Sequence, residues 1–545
     1  MLYRTYKRFF CRNVRNDRIG LTGGAEALYK KQIIGMIDIG SNTVRLAVYQ
    51  ITENGAFRVI DQGRWPARLS QKLTAGGELP RESVDELAEV LLHFKRICRM
   101  HRTTRIKAVA TAAIRQAANR EQALARLTEV TGLTIELLSG EDEARFGSLA
   151  MLRTMDVEDG FVVDIGGGST EITLLRDRKI VSSVSFPFGC VNTSRRFGMK
   201  DEPVPPAVME RAVSELAAQL RSEPWIRSHP GLPLIGLGGT LRSFAKISQR
   251  SIDYPLSNLH GYEFPPLALE NALQTLAPLG VEKRRKVPGL SKDRADVIVP
   301  GLLILQAVVQ ACQASRVVVC GAGLRDGIFF DACLPAEEVF LSSRQVLEDS
   351  IRNLSALYPT VPQAHLEQVN RLALSLYDSL APEASLPPSS RVLLDAASRL
   401  FRIGSMIDVG DNADHTFYIL MHAHWNGLGH REMLLTAAIA SYKGPGAMRS
   451  RLVPYKALLR EGDFERISKL GMLLQLAAAL DRSESQGIAS LDITVERSRQ
   501  LTLSAAANHP LHVEMMEVET LAKDFKKSWG LSPVLSVSTL APPPR

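Results

Sequence analysis

A short apolar run that ends in an aspartate and a glycine turn occurs twice in this chain, 126 residues apart. Residues 37–43 read IDIGSNT, and residues 162–171 read VVDIGGGSTE. Each copy is typical of a buried strand, and each carries one aspartate, Asp38 or Asp164, which is costly to bury without a partner or a metal. The glycines let backbone N–H groups approach a ligand, and the following hydroxyls add donors. The repeat predicts two facing halves with a phosphate between them.

Composition narrows the class of protein. The chain has 545 residues, 45% of them hydrophobic and 23% charged, which favours several globular domains. Residues 1–32 hold eight Lys/Arg and two acidic residues, so most of the net charge of +8 lies in this segment. The rest of the chain is not basic enough to predict nucleic-acid binding. Without a long apolar run or a CxxC pair, we expect a cytoplasmic protein with reduced cysteines and no membrane segment.

The pattern of segments predicts an α/β architecture up to about residue 334. Apolar strands at 36–39, 106–110, 161–165 and 234–237 alternate with amphipathic helices such as 81–100. Several strands end in glycine turns, where parallel sheets bind ligands. Helical patterns follow, interrupted by the Pro/Ser-rich stretch 381–390, which we expect to be a loop. The tail from 488 to 537 predicts strand, strand, helix and strand.

Several ordered motifs resemble one known family. The three glycine loops are similar to the phosphate loops of the actin, sugar-kinase and chaperone-ATPase superfamily. Within it, the chain resembles the exopolyphosphatase/guanosine pentaphosphate phosphatase family, through ATAAIR at 110–115, SGEDEAR at 139–145, RAD at 294–296 and GLRDG at 323–327. The resemblance covers roughly residues 33–500 and is closest to the exopolyphosphatases.

The resemblance implies an α/β fold of two actin-like (ribonuclease H-like) lobes, followed by an all-helical HD-like domain and a small C-terminal α/β lobe. The expected segments are a disordered basic arm, lobe I, lobe II, the HD-like domain, and the terminal lobe with its tail: 1–32, 33–150, 151–334, 335–485 and 486–545.

The glycine loops and their neighbours are the expected phosphate clamp. The phosphate-binding residues that we predict are Asp38, Gly40, Ser41, Asn42, Thr43, Arg45, Gly166, Gly167, Gly168, Ser169, Thr170, Gly238, Gly239 and Thr240. By resemblance, Asp164 and Glu171 are the metal ligands. Mg²⁺ suits them because it binds one or two carboxylates together with substrate phosphates.

Glu143 is the expected general base by its match to the family's SGxxEAR stretch. Ser139 can cap the helix that begins here, and acids in a first turn complement the helix dipole, which accounts for Glu141 and Asp142. Arg115 is the expected catalytic cation, since a guanidinium can bind two phosphate oxygens. The basic run 283–286 is typical of a solvated face, although a polyanion passing nearby would gain from it.

The HD-like domain lacks the residues that give HD enzymes their metals. Phe401 and Arg402 stand where His and Asp would stand, and Ala478 falls at the position of a later Asp. We therefore expect this domain to be non-catalytic and to extend a substrate groove or form a dimer contact.

The leading hypothesis is a Mg²⁺-dependent exopolyphosphatase that releases orthophosphate from the end of inorganic polyphosphate, as a homodimer. A guanosine pentaphosphate 5'-phosphohydrolase would use the same chemistry on a nucleotide. An actin-like or chaperone-like ATP-driven binding protein is an alternative of another class, for which Glu143 would be dispensable, and a sugar-kinase-type transferase is a further one.

Overall fold

The structure is a computed structural model, and it describes residues 31–199, 201–334, 342–359, 361–496 and 499–539. The chain forms two compact units, the first ending at Glu348 and the second beginning at Asp349. The predicted basic arm lies outside the described residues except for its last two positions, and so do the final residues 541–545.

The first sheet of the first unit has five strands in the order β3-β2-β1-β4-β5. Its strands are β1 (Gln32–Ile39), β2 (Val44–Ile51), β3 (Phe57–Trp65), β4 (Arg105–Ala110) and β5 (Ile135–Leu137). The first helices of the unit are α1 (Leu69–Lys72), α2 (Arg81–Met100), α3 (Ala112–Arg115), α4 (Arg120–Thr131) and α5 (Gly140–Leu152). The prediction of a helix over 81–100 is confirmed, and its buried face includes Leu87, Leu91 and Phe94.

The second sheet has six strands in the order β10-β11-β9-β6-β7-β8. Its strands are β6 (Gly160–Ile165), β7 (Thr170–Arg176), β8 (Lys179–Phe186), β9 (Leu234–Leu237), β10 (Glu263–Phe264) and β11 (Val317–Val319). The accompanying helices are α6 (Cys190–Phe197), α7 (Pro206–Leu220), α8 (Gly238–Ser251), α9 (Pro266–Leu276), α10 (Val281–Arg284), α11 (Ile298–Cys312) and α12 (Leu324–Cys333), with 3₁₀ turns at Pro224–Arg227 and Lys292–Arg294.

The two sheets share one topology. In each, three antiparallel strands continue into two parallel ones, so β1, β2, β3, β4 and β5 correspond to β6, β7, β8, β9 and β11. The register agrees as well, because Asp38 faces Arg45 across β1 and β2, and Asp164 faces Glu171 across β6 and β7. The repeat that the sequence predicts is therefore present in three dimensions.

Helix α5 lies between the two sheets. Phe146 and Leu149 belong to the apolar cluster on β1 and β2, while Met151 and Leu152 belong to a cluster with Ile235 of β9. Ser139 caps this helix as predicted, since its Oγ accepts the backbone N–H of Asp142 at 3.0 Å. A helix packed on two sheets is held firmly, and so is the first turn that carries the acids 141–143.

The second unit is mainly helical, as predicted. Its helices are α13 (Ser343–Leu357, which begins in the first unit), α14 (Gln363–Ala384), α15 (Ser389–Leu400), α16 (Asn412–His422), α17 (His430–Ala440), α18 (Pro445–Leu452), α19 (Asp463–Ala479) and α20 (His512–Trp529), with 3₁₀ turns at Ile403–Met406 and Val453–Leu458. The strands β12 (Ile488–Val495), β13 (Gln500–Ala507) and β14 (Ser532–Thr539) form one sheet in this order. No helix in the described ranges is long and apolar enough to cross a membrane.

Two local predictions were wrong. The predicted loop 381–390 is much shorter, because α14 continues through Pro382 to Ala384 and α15 begins at Ser389. Leu380 and Ala381 are buried, and this packing keeps the last turn helical although Pro382 has no N–H to donate to the carbonyl of Asp378. The basic run 283–286 is not wholly solvated, since Arg284 is fully buried and donates to the carbonyls of Leu276 and Ala277. The five cysteines in the described ranges are free and buried, as expected.

Candidate active site

A cavity of about 120 Å³ opens at the carboxyl ends of strands from both sheets of the first unit. Asp38 and Asp164 are the next-to-last residues of β1 and β6, Thr111 and Gly238 come directly after β4 and β9, and Gly323 comes shortly after β11. Parallel strands end at one edge of a sheet, so residues distant in sequence meet there. The sequence predicted ligands at this edge.

Most of the predicted site residues line this cavity together. They are Asp38, Gly40, Ser41, Asn42, Thr43, Arg45, Glu143, Asp164, Gly166, Gly167, Ser169, Glu171, Gly238 and Gly239. Both copies of the repeat, the third glycine turn and the first turn of α5 therefore reach a single site.

Four predicted residues are not part of the lining. Thr170 donates its hydroxyl to the carbonyl of Phe188 at 2.7 Å, and the carbonyl of Gly168 accepts the Nδ2 of Asn192 at 3.0 Å. Thr240 is buried beneath the turn, where it packs against Gly301. Arg115 lies just behind the lining and forms an ion pair with Glu143. The first three support the loops, and Arg115 is linked to the lining by its ion pair with Glu143.

Four carboxylates of the lining have raised pKa values. Burial is the main cause for Asp38, Asp164, Glu171 and Glu143, and the negative charge of Asp164 adds to the rise at the other three. The pKa of Glu143 rises to about 7, although the charge and hydrogen bond of Arg115 act to lower it. Such mutual repulsion is typical of a site that holds a cation or a proton between carboxylates.

The lining also contains four arginines, of which the sequence predicted only Arg45. Burial, together with the neighbouring charges of Arg242, Arg325 and Arg294, lowers the pKa of Arg45 to about 9. Arg242 donates to the carbonyls of Gly238 and Gly321, each at 3.0 Å. Guanidinium groups gathered in this way favour a ligand with several negative oxygens.

Backbone N–H groups also face this part of the molecule as possible donors to an anion. The N–H groups of Gly167 and Gly168 donate to no backbone carbonyl among the described residues, and α8 presents its free first-turn N–H groups at Gly238. Gly238 has a φ of +81°, and a Cβ there would lie 2.3 Å from Oδ1 of Asp164. Only glycine allows this turn to approach the aspartate so closely.

The loops of the two sheets touch. A Cβ on Gly167 would lie 2.9 Å from Cβ of Ser41, and a Cβ on Gly168 would lie equally close to Oγ of Ser41. Further along this seam, Arg68 forms an ion pair with Asp296 at 3.2 Å. The two copies of the repeat thus face each other, as the sequence predicted.

The residues present fit a magnesium ion. Oδ1 of Asp38 and Oγ1 of Thr43 are buried and have no hydrogen-bond partner within the described part of the chain. Asp164 and Glu171 sit opposite each other on β6 and β7, and Glu171 accepts the hydroxyl of Ser185 at 2.7 Å. In the described ranges no three His, Cys, Asp or Glu side chains form a metal cluster, but Mg²⁺ needs only one or two carboxylates when phosphates and waters supply the rest.

Sequence reasoning missed several members of the lining. They are Thr111, Ala112, Ile165, Cys190, Arg242, Arg294, Gly323, Leu324, Arg325 and Asp326. Arg294 and Arg325 stand in motifs that carried the family resemblance, so the sequence pointed to these positions, but we had assigned no role to either arginine. Arg242 lies one turn after the glycine pair of α8, and this spacing is the signal that could have found it.

Asp326 shows how the fold positions one of these arginines. Its Oδ2 accepts the N–H of Gly323 at 2.8 Å, and its Oδ1 accepts the hydroxyl of Tyr49 at 2.7 Å. The neighbouring Arg325 donates to the carbonyl of Leu46 at 2.8 Å. The contacts with Tyr49 and Leu46 therefore hold the start of α12 against β2 of the first sheet.

Fold and site together define an α/β protein with a charged cavity between two sheets of the same topology. A sequence profile of the Ppx/GppA phosphatase family matches residues 47–336, and a profile of Ppx/GppA phosphatase domain III matches residues 346–524. The first match alone covers just over half of the chain. The chain belongs to the Ppx/GppA phosphatase family, as its motifs predicted.

Solved structures are similar to part of the chain. A PPX-GPPA enzyme from Aquifex aeolicus is 29% identical, with 55% of this chain and 99% of that chain covered and a TM-score of 0.47. An exopolyphosphatase from Cytophaga hutchinsonii is 21% identical, with 55% and 97% covered and a TM-score of 0.50. At that identity the second similarity bears on the fold.

Proposed function

We propose that this protein is an exopolyphosphatase, which hydrolyses the terminal phosphoanhydride bond of inorganic polyphosphate and releases orthophosphate. Family membership supports a phosphatase. The observation that carries the proposal is a carboxylate with a raised pKa, Glu143, which reaches the same cavity as the paired glycine loops and four arginines. An anion clamp alone would serve binding, whereas an added base suits hydrolysis.

Each side chain has a role in the proposed reaction. Arg45, Arg242 and Arg325 would bind the oxygens of the terminal phosphates, and the N–H groups of the glycine loops would hold the phosphoryl group in place. Glu143 would take a proton from the attacking water, whose oxygen forms the new bond to phosphorus. The bond to the bridging oxygen breaks, and the shortened chain leaves with that oxygen.

Arg115 would tune the base. Its ion pair with Glu143 lowers the pKa of a carboxyl group that burial raises, so that enough of the ionised base is present near neutral pH. Asp164 and Glu171 would hold Mg²⁺, with Asp38 nearby. When bound, the ion neutralises negative charge on the phosphoryl group that is transferred.

The same site would accept guanosine pentaphosphate, because this nucleotide also presents a terminal phosphoanhydride. Phosphate release from long-chain polyphosphate and from the nucleotide, measured at matched concentrations of ends, tests the choice. We expect a higher kcat/KM on polyphosphate. A higher kcat/KM on the nucleotide would show that the protein is a guanosine pentaphosphate phosphohydrolase instead. If neither substrate were hydrolysed, the proposal of phosphatase activity would be wrong.

We also propose that the two sheets of the first unit are actin-like lobes and that the helices of the second unit form an HD-like domain without a metal. Elemental analysis of the whole protein, with Asp164 changed to Asn to weaken the metal site of the first unit, tests the claim about the HD-like domain: we expect no tightly bound metal, and a stoichiometric metal would contradict it. A homodimer remains part of the proposal, and its test is the mass in solution.

A further inference from the structure

The second unit contains a cavity of its own, with a volume of about 440 Å³. It lies among α14, α17, α19 and α20 and the turn after α15. This volume falls within the roughly 300–1,000 Å³ that is usual for small-molecule sites in proteins. No residue of this cavity takes part in the proposed hydrolysis, so it calls for an explanation of its own.

One wall of the cavity is apolar and roomy. Phe401 and Leu474 contribute large side chains, whereas Ala478 and Ala479 on α19 leave space in front of them. The ring of Phe401 lies 5.9 Å from the ring of His365, measured between centroids. A flat apolar group could stack on Phe401 in this space, because aromatic rings prefer such offset contacts.

The lining of the cavity has a small net positive charge. Arg402 forms an ion pair with Glu484, and Arg482 forms a weaker one with Glu517 at 3.5 Å. Lys443 is exposed and has no ion pair to any residue in the described ranges. The lining therefore carries one more positive charge than negative charges.

Two polar groups of the lining are available to a ligand. The hydroxyl of Ser405 is buried and has no hydrogen-bond partner in the described part of the chain. His365 is buried, and its Nδ1 is held by Asp481 at 2.8 Å, which leaves Nε2 on the other side of the ring. A buried hydroxyl without a partner is costly, and a ligand oxygen would satisfy it.

The cavity also coincides with the positions where the sequence lacks metal ligands. Phe401, Arg402 and Ala478 all line it. In place of a carboxylate that would hold a metal, the chain presents a guanidinium, which binds phosphate oxygens directly. Without the His-Asp pair the domain lacks the ligands for a catalytic metal, and Arg402 supplies a positive charge that can bind an anion.

We propose that this cavity binds a nucleoside diphosphate without hydrolysing it. The base would stack on Phe401, and the phosphates would lie between Arg402 and Lys443. The bound nucleotide would be a ligand of the second unit, separate from the polyphosphate cavity of the first.

Binding is tested with the full chain, using GDP and ADP that carry a fluorescent methylanthraniloyl group. The anisotropy of the probe gives the dissociation constant. Ala478→Leu fills the cavity, and Lys443→Met removes an exposed charge without disturbing the fold. We expect each to weaken binding at least about tenfold, while Ala478→Ser stays within about twofold of the unchanged protein.

Arg45→Gln locates the binding, because Arg45 belongs to the other cavity. We expect this variant to bind the probe as the unchanged protein does, and hydrogen exchange with unlabelled nucleotide to slow at 401–413 and 474–484. The proposal is overturned if neither probe binds at about 5 mM, if the variants at 478 and 443 bind normally, or if Arg45→Gln abolishes binding. A preference between GDP and ADP would identify the base.

Discussion

Arg45 and Glu171 occupy equivalent positions in the two sheets of the first unit. Each stands opposite an aspartate of the neighbouring strand, Arg45 opposite Asp38 and Glu171 opposite Asp164. Both side chains line the same cavity. The same antiparallel strand pair therefore presents a cation to the cavity in one copy of the repeat and a carboxylate in the other. In the proposed reaction, Arg45 would bind a phosphate oxygen and Glu171 would help to hold the metal.

Arg45→Gln should weaken substrate binding without affecting the metal. Loss of a charged hydrogen bond to phosphate typically costs a factor of about ten to a hundred, so we expect KM for polyphosphate to rise by that factor. The Mg²⁺ concentration that gives half-maximal activity should stay unchanged. Steady-state kinetics at several Mg²⁺ concentrations separate the two effects. An unchanged KM would remove Arg45 from the phosphate site.

Asp164→Asn should weaken metal binding. The neutral amide retains the shape of the side chain but attracts Mg²⁺ much less, so we expect metal affinity to fall at least about tenfold. Direct calorimetric titration with Mg²⁺ measures this in the absence of substrate. Asp142→Asn is the matched control, since Asp142 lies outside the cavity lining and forms the cap contact with Ser139. Equal Mg²⁺ titrations for both variants would contradict the assignment.

Glu143→Gln should remove the base and leave the substrate site intact. General-base catalysis contributes about 10²–10⁴-fold, so kcat should fall by that factor while KM changes little. Glu141→Gln is the control, because Glu141 is exposed in the same turn of α5. If Glu143→Gln turned over polyphosphate at nearly the normal rate while folded, the proposed mechanism would be wrong.

The pH profile should report the ion pair of Arg115 and Glu143. A base works only when ionised, and burial raises the pKa of Glu143 to about 7. We therefore expect kcat/KM of the Mg²⁺-loaded enzyme to fall with decreasing pH, on an acidic limb that lies below pH 7 because a bound cation lowers the pKa of a nearby carboxyl group. Arg115→Met removes the charge that lowers this pKa, so the acidic limb should move to higher pH. Arg115→Lys should leave the limb nearly in place, and no movement in Arg115→Met would mean that Arg115 does not tune the base.

Gly239→Ala should displace Arg294. A Cβ on Gly239 would lie 1.8 Å from a guanidinium nitrogen of Arg294, so this side chain has to move. Arg294 lines the cavity, and we propose that it also binds a phosphate oxygen, so its displacement should raise KM about tenfold with little change in melting temperature. Gly446→Ala is a fair comparison, because a Cβ there meets no atom within 4 Å. Normal kinetics in Gly239→Ala would show that Arg294 does not bind substrate.

Much of the fold could be predicted from the sequence, because its signals are local. The run around Asp164 is β-branched and ends in glycines, and the spacing of Leu87 and Leu91 is helical, so strands and helices could be placed. Pro382 misled the prediction of a loop, since the burial of its neighbours decides whether a helix continues past a proline. The prediction that the basic run 283–286 is solvated was wrong for Arg284, because only packing shows which side chain of such a run is buried.

The sequence by itself determined the repeat, the family, and the identity of the residues in the glycine loops. Only the tertiary structure decided which of them share a cavity, since that depends on contacts between segments far apart in the chain. Such contacts place Arg242 and Arg325 in the lining of the cavity, whereas the hydroxyl of Thr170 donates to the backbone carbonyl of Phe188 outside it. The pKa of Glu143 was also a tertiary outcome, because burial and the charges of Arg115, Asp38 and Asp164 all act through space.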